Sequence, residues 1–173
     1  AFRQKTRLSQ HISFLKGFFR SYKEDCADKH IDTSELMLER LYAQWGMDDN
    51  TDFLSLTPTD YPVLSDLYRI IEDAYQNYDQ EEFPLYTREL LREVLLGLHS
   101  MCRGAESKCF NGHTNITSSR FLVFGVKGLL QASRNVKNAM LFNILSYLSD
   151  KLLTEGNTVA TLDELYIWLS NLT

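Results

Sequence analysis

Cysteine is scarce in this chain: Cys26, Cys102 and Cys109 are the only three among 173 residues. An odd number at no framework spacing fits reduced thiols in a cytosolic protein better than a disulfide scaffold. No apolar run approaches the length of a membrane span, and no signal peptide opens the sequence. Positive charge is also in short supply. With 18 Lys and Arg against 23 Asp and Glu, the formal net charge is -5 and the pI is near 5.4. That balance argues against a general nucleic-acid surface and leaves only a local basic patch open. A disorder signature is missing too, and a hydrophobic content of 44% is enough for a sizeable core. The length suits one ordinary domain or part of a larger one. The first residue is Ala1 rather than Met and the last is Thr173, so the expectation is an excised piece of a longer protein.

What the sequence does contain begins with helix. From Arg3 to about Cys26, Leu8, Ile12, Leu15, Phe18, Phe19 and Tyr22 recur at steps of three and four, the pattern of one amphipathic helix with a packed face. Its cations Lys5, Arg7, Lys16, Arg20 and Lys23 read as a solvated face rather than a phosphate-binding one. A second helix is expected to start at the Thr33/Ser34 cap region and to carry Leu38, Leu41, Tyr42 and Trp45 to a stop at Gly46. Met47 to Asp60 is acidic and irregular, and the prolines of Thr57-Pro58-Thr59-Asp60-Tyr61-Pro62 favour extended or turn backbone. A third helix, Val63 to Tyr78, presents Leu64, Leu67, Tyr68, Ile71 and Tyr75 on one face, an aromatic stripe that suits a core better than base stacking. A fourth, roughly Leu85 to Arg103, buries Leu91, Val94, Leu95, Leu98 and Cys102. Four such helices with short connections make a small bundle or cap.

Between Gly104 and Ser119 the chain turns small and polar. His99, Cys102, Cys109 and His113 place four soft or borderline metal ligands close together, but a zinc site would need all four to converge tetrahedrally across a helix end. Their spacing matches no familiar zinc pattern, and Cys102 is already claimed by the core face. His11 and His30 have no partners in sequence and read as surface or packing residues.

Beyond this loop the pattern becomes strand, helix, strand. Phe121 to Val126 is a short continuous apolar run. A helix from about Ser133 to Leu153 is apolar on nearly every side, as expected of one covered on most faces. After Glu155-Gly156-Asn157, Thr158 to Leu162 reads as the next strand. The result is a βαβ unit with parallel strands and a right-handed crossover, expected to belong to a larger parallel sheet, because two short parallel strands cannot bury both faces alone. Its second strand ends in the adjacent carboxylates Asp163 and Glu164. Open α/β sheets put their ligands at such strand ends, so the pair has the look of a Walker B segment. The plainer reading is that two acids open the helix Glu164 to Asn171, where negative charge is favourable.

The whole order resembles the CagE/TrbE/VirB family, the RecA-like motor ATPases of type IV secretion and bacterial conjugation. The resemblance is carried by Tyr61-Pro62-Val63-Leu64-Ser65-Asp66-Leu67, by Phe110 to Asn115, by the strand at Phe121 to Val126, and by Leu162-Asp163-Glu164-Leu165-Tyr166-Ile167-Trp168-Leu169. It implies an all-helical inserted subdomain over 1–105 and, over 106–173, the loop and βαβ portion of a RecA-like P-loop NTPase core. The fold class expected is therefore mainly α followed by a βαβ fragment. It further implies that Asp163 holds Mg²⁺ through water, that Glu164 is the catalytic acid orienting the attacking water, and that ATP is the nucleotide. Implied partners are other type IV secretion or conjugation components, further copies in a ring, and the inner face of a cell membrane reached through those partners from the cytoplasm. No Gly-x4-Gly-Lys-Ser/Thr occurs in the sequence: Gly125-Val126-Lys127-Gly128 lacks both the loop length and the ending. The isolated chain is accordingly expected to hydrolyse no ATP. The alternative is a non-catalytic helical interaction module that meets its partner through exposed aromatics such as Trp45, Tyr75, Tyr78 or Trp168. A sequence-reading DNA protein is disfavoured by the acidic balance.

Overall fold

The structure is a computed structural model that describes residues 8–53, 55–113, 123–125 and 127–161. The chain divides between Arg120 and Phe121 into two compact units.

In the first unit, helix α1 (Leu8–Tyr22) buries Ile12, Phe18, Phe19 and Tyr22, the face set by the three-and-four spacing. Its cations Lys16 and Arg20 pair with Glu35 and Asp28 at the surface. Helix α2 runs Asp28–Gln44, a turn earlier than expected. Thr33 and Ser34 are not its cap. They are buried in its interior, where each hydroxyl donates to the carbonyl four residues back, Lys29 at 2.7 Å and His30 at 2.8 Å. The start is fixed by His30 instead, whose Nδ1 accepts the Ala27 N–H at 3.1 Å and so satisfies a donor that the helix leaves open.

The connection to the next helix is ordered by short-range bonds. Asp60 accepts from the Thr57 N–H and hydroxyl, both at 2.7 Å, across a single 3-10 turn Pro58–Asp60, and the Tyr61 hydroxyl donates to the Phe53 carbonyl at 2.9 Å. Helix α3 (Leu64–Gln76) then opens with Asp66 accepting the Val63 N–H at 2.9 Å. Helix α4 (Arg88–Cys102) is capped by Thr87, whose hydroxyl accepts the Leu90 N–H at 3.1 Å. It begins later than Leu85, which is left 84% exposed while Tyr86 goes inside. α3 and α4 pack most extensively on each other, and both pack on α2. Ile31, Met37, Leu38, Leu67, Ile71, Leu91, Met101 and Cys102 form the sealed centre. Together they make the small helical bundle that the periodicity predicts. A one-turn helix α5 (Ser107–Phe110) closes it, with the Phe110 ring edge-on to Phe18 and Tyr22.

The second unit holds a 3-10 segment, Lys127–Gln131, and helix α6 (Arg134–Glu155). Ser133 caps α6 by accepting the Val136 N–H at 3.3 Å, and Gly156, at φ 67, ends it. α6 departs from expectation in its burial. Only Val136 and Ala139 are buried; Met140 to Leu148 are half-exposed on all sides, and Leu153 is open. The expected βαβ unit is likewise not seen. No strand occurs among the described residues, and both Val123–Gly125 and Thr158–Thr161 run without ladder partners. Val123 is 72% exposed and Val159 is 87% exposed. A strand is stabilised by its neighbours' N–H and C=O groups, so an apolar run with no neighbour stays irregular. Phe121, Leu122, Val126 and Leu162, the remaining residues of the two runs, lie outside the described residues.

Candidate functional site

The acid pair Asp163 and Glu164 also lies outside the described residues, as does Trp168. The described approach to the pair is the segment Thr158–Thr161 that follows the α6 stop, exposed from Val159 on. Among the described residues, no group of three or more His, Cys, Asp and Glu side chains could hold a metal. The four soft ligands near the end of α4 do not share an environment. Cys102 is sealed in the core, where burial pushes its thiol up to about 12, while His99, Cys109 and His113 are exposed.

A groove at the junction of α1, α2 and α4 gathers Cys26, His30 and Glu93, side-chain types that can form a nucleophile, a base and an orienting acid. The geometry does not support that use. The His30 Nδ1 is occupied by the Ala27 N–H, so its proton sits on Nε2 and is donated to Glu93 at 2.5 Å. Neither nitrogen is left to take a proton from a thiol. Burial moreover raises the Cys26 thiol above its ordinary value, and its Sγ contacts the Ala27 carbonyl at 3.7 Å. His30 therefore ties α2 to α4. Its partner Glu93 is 63 residues distant, a contact that no local reading of the sequence contains.

The loop between α3 and α4 is held by a second polar cluster. The Arg40 guanidinium donates to both Glu81 oxygens at 2.6 and 3.2 Å and to the Tyr86 hydroxyl at 2.8 Å, and that hydroxyl donates on to Glu81. The guanidinium first, and then the Tyr86 hydroxyl, hold the Glu81 carboxyl below its ordinary value. Burial, then the hydrogen bond to Glu81, push Tyr86 up to about 12. Of the aromatics expected to meet a partner, Tyr75 and Tyr78 lie under the Arg88 guanidinium, at 5.5 and 5.8 Å from the ring centres. Among the described ones, Trp45 is left outward, 43% exposed.

None of the described helices is long and apolar enough to cross a membrane. Neither a family model nor a curated protein matches the chain. Among solved structures it is similar to VirB4 of Thermoanaerobacter pseudethanolicus, with 27% sequence identity and a TM-score of 0.67 over 84% of its own length. It spans about half of that protein, 47%. The chain is thus similar to VirB4 both in fold and in sequence, the resemblance that its residues suggest.

Proposed function

We propose that the chain contributes a helical subdomain and the Walker B region to an ATPase that drives substrate transfer or machine assembly in type IV secretion or conjugation. The observation that carries this reading is the likeness to VirB4, which joins 27% identity to a matching fold over 84% of the chain. In this reading residues 1–105 are the inserted helical subdomain and 106–173 belong to the RecA-like core. Adjacent carboxylates are hard oxygen donors of the kind that Mg²⁺ accepts through one or two groups plus water. Asp163 would hold the ion through water, and Glu164 would orient and polarise the water that attacks the terminal phosphate of ATP. The metal supplies charge neutralisation on the phosphates; Glu164 supplies the position of the nucleophile. The phosphate cradle has to come from chain other than this sequence, which contains no P-loop motif. Other secretion components, further copies in a ring and the cytoplasmic face of a membrane are the surroundings that this function entails.

The test joins the chain to an upstream P-loop segment of the same protein. Glu164→Gln keeps the size and removes the charge, so ATP binding should survive while hydrolysis falls at least about a hundredfold. Unchanged turnover in that variant would remove Glu164 from the chemistry and favour a helical interaction module, with exposed Trp45 as its contact.

A further inference from the structure

Within the first unit, α1, α2, the segment Leu56–Leu64 and the turn at Phe110–His113 surround a cavity of about 420 Å³. Its volume falls in the range of small-molecule sites. The wall is mainly hydrocarbon, including Leu15, Leu38, Leu41 and Leu67, and among the described residues no Asp, Glu, Lys or Arg lines it.

Two of its polar side chains stand apart. The His11 ring is set among aromatic rings, 5.7 Å from Tyr42, 6.3 Å from Phe14 and 6.5 Å from Tyr61. Among the described residues no hydrogen bond reaches the His11 ring nitrogens or the Tyr42 hydroxyl, whereas the Tyr61 hydroxyl is spent on the Phe53 carbonyl. Yet no side-chain nitrogen or oxygen among the described residues is both fully buried and unsatisfied. The polar atoms of His11 and Tyr42 therefore keep some accessible surface, and both residues line the cavity. Burial holds His11 neutral by lowering its pKa and keeps Tyr42 protonated by raising its own. One site thus offers an imidazole acceptor beside a phenolic donor, in walls whose described residues carry no charge.

We infer that this cavity binds a small, uncharged, hydroxylated aromatic molecule, whose hydroxyl donates to the His11 imidazole and accepts from the Tyr42 O–H. A single hydroxyl can make both bonds at once. An ionic ligand would lose its hydration with no counter-charge among the described wall residues to replace it, and a hydrocarbon would leave both polar groups unmade.

The experiment titrates the 173-residue chain with 2-naphthol and, separately, with naphthalene, following backbone amide shifts by NMR. Both should bind saturably at 1:1 with shifts centred on the cavity, and 2-naphthol should bind tighter by roughly three- to tenfold, the worth of one or two net hydrogen bonds. The double variant His11→Phe/Tyr42→Phe should keep naphthalene binding and lose the preference. Leu15→Trp, which fills the space, should abolish both, with Val63→Trp in its place if circular dichroism shows the first to be unfolded. The inference is overturned if neither probe saturates, if naphthalene binds as tightly as 2-naphthol, or if the preference survives in the double variant.

Discussion

Replacing Phe83 by glycine should stabilise the protein, although it deletes an aromatic side chain. Phe83 has φ 53, in the left-handed region, and its side chain is 94% exposed. For a residue with a Cβ this conformation costs about 1–2 kcal/mol, and the following Pro84 narrows its alternatives further. Truncation gives up almost no buried surface, so the transfer term is at most about a few tenths of a kcal/mol. Against the relief of strain stands the extra freedom of glycine in the unfolded chain, about 0.4–1 kcal/mol. The balance is a gain of roughly 0.5–1 kcal/mol, equivalent to about 1–4 °C in Tm for a chain of this size. Phe83→Ala separates strain from side-chain loss, because alanine keeps the Cβ penalty and should stay within about 0.5 kcal/mol of the parent.

The strain persists because Arg40, Glu81 and Tyr86 hold the loop on one side and the Thr87 cap holds it on the other. In an Arg40→Ala background the loop is free to leave the left-handed region, and the advantage of glycine over alanine should shrink towards zero. Phe83→Gly and Phe83→Ala, each made with Arg40 intact and again together with Arg40→Ala, give the coupling directly by urea unfolding followed by far-UV circular dichroism. The reasoning is refuted if Phe83→Gly proves less stable than Phe83→Ala, or if glycine keeps an equal advantage in both backgrounds.

Two further outcomes rest on the same bundle. Leu91, in the first turn of α4, is fully sealed in the core, so Leu91→Ala should cost about 3–5 kcal/mol by urea unfolding, the sum of lost transfer and an unfilled cavity. Glu81 has its folded-state pKa depressed below the ordinary value near 4.5, so the stability it contributes is fully present above that value and is lost as pH falls through the folded pKa. Glu81→Gln should therefore flatten the fall in stability below about pH 4.5 and leave the plateau above it level, measured by thermal melts across pH.

The helices are legible where their determinants are local. Ser133 at the start of α6 uses its side-chain oxygen on the N–H three residues on, and a cap of that kind is written in the sequence. The start of α2 is not. Thr33 and Ser34 have the composition of a cap, but the carbonyls of Lys29 and His30 lie within reach and take both hydroxyls. The acceptor that opens the helix is an imidazole, which is positioned by Glu93 from another helix. The start of α4 is displaced for a related reason. Leu85 extends the apolar pattern, but Tyr86 is the residue that Arg40 and Glu81 draw inward.

Strands are decided differently. A helix satisfies its N–H and C=O groups within itself, so periodicity in one segment decides it; a strand is decided by another segment, and composition alone cannot say whether one is there. Val159 illustrates the difference, β-prone in type and 87% exposed in place. The same dependence governs Asp163 and Glu164. Two neighbouring acids become a metal and water site only when a sheet aims them at a phosphate cradle, and that arrangement lies in no local property of Thr158 to Glu164. The cavity of the first unit obeys the same logic at shorter range. His11 and Tyr42 are ordinary members of their helical faces, and only the packing of α1 on α2 sets the imidazole beside the phenol on one wall.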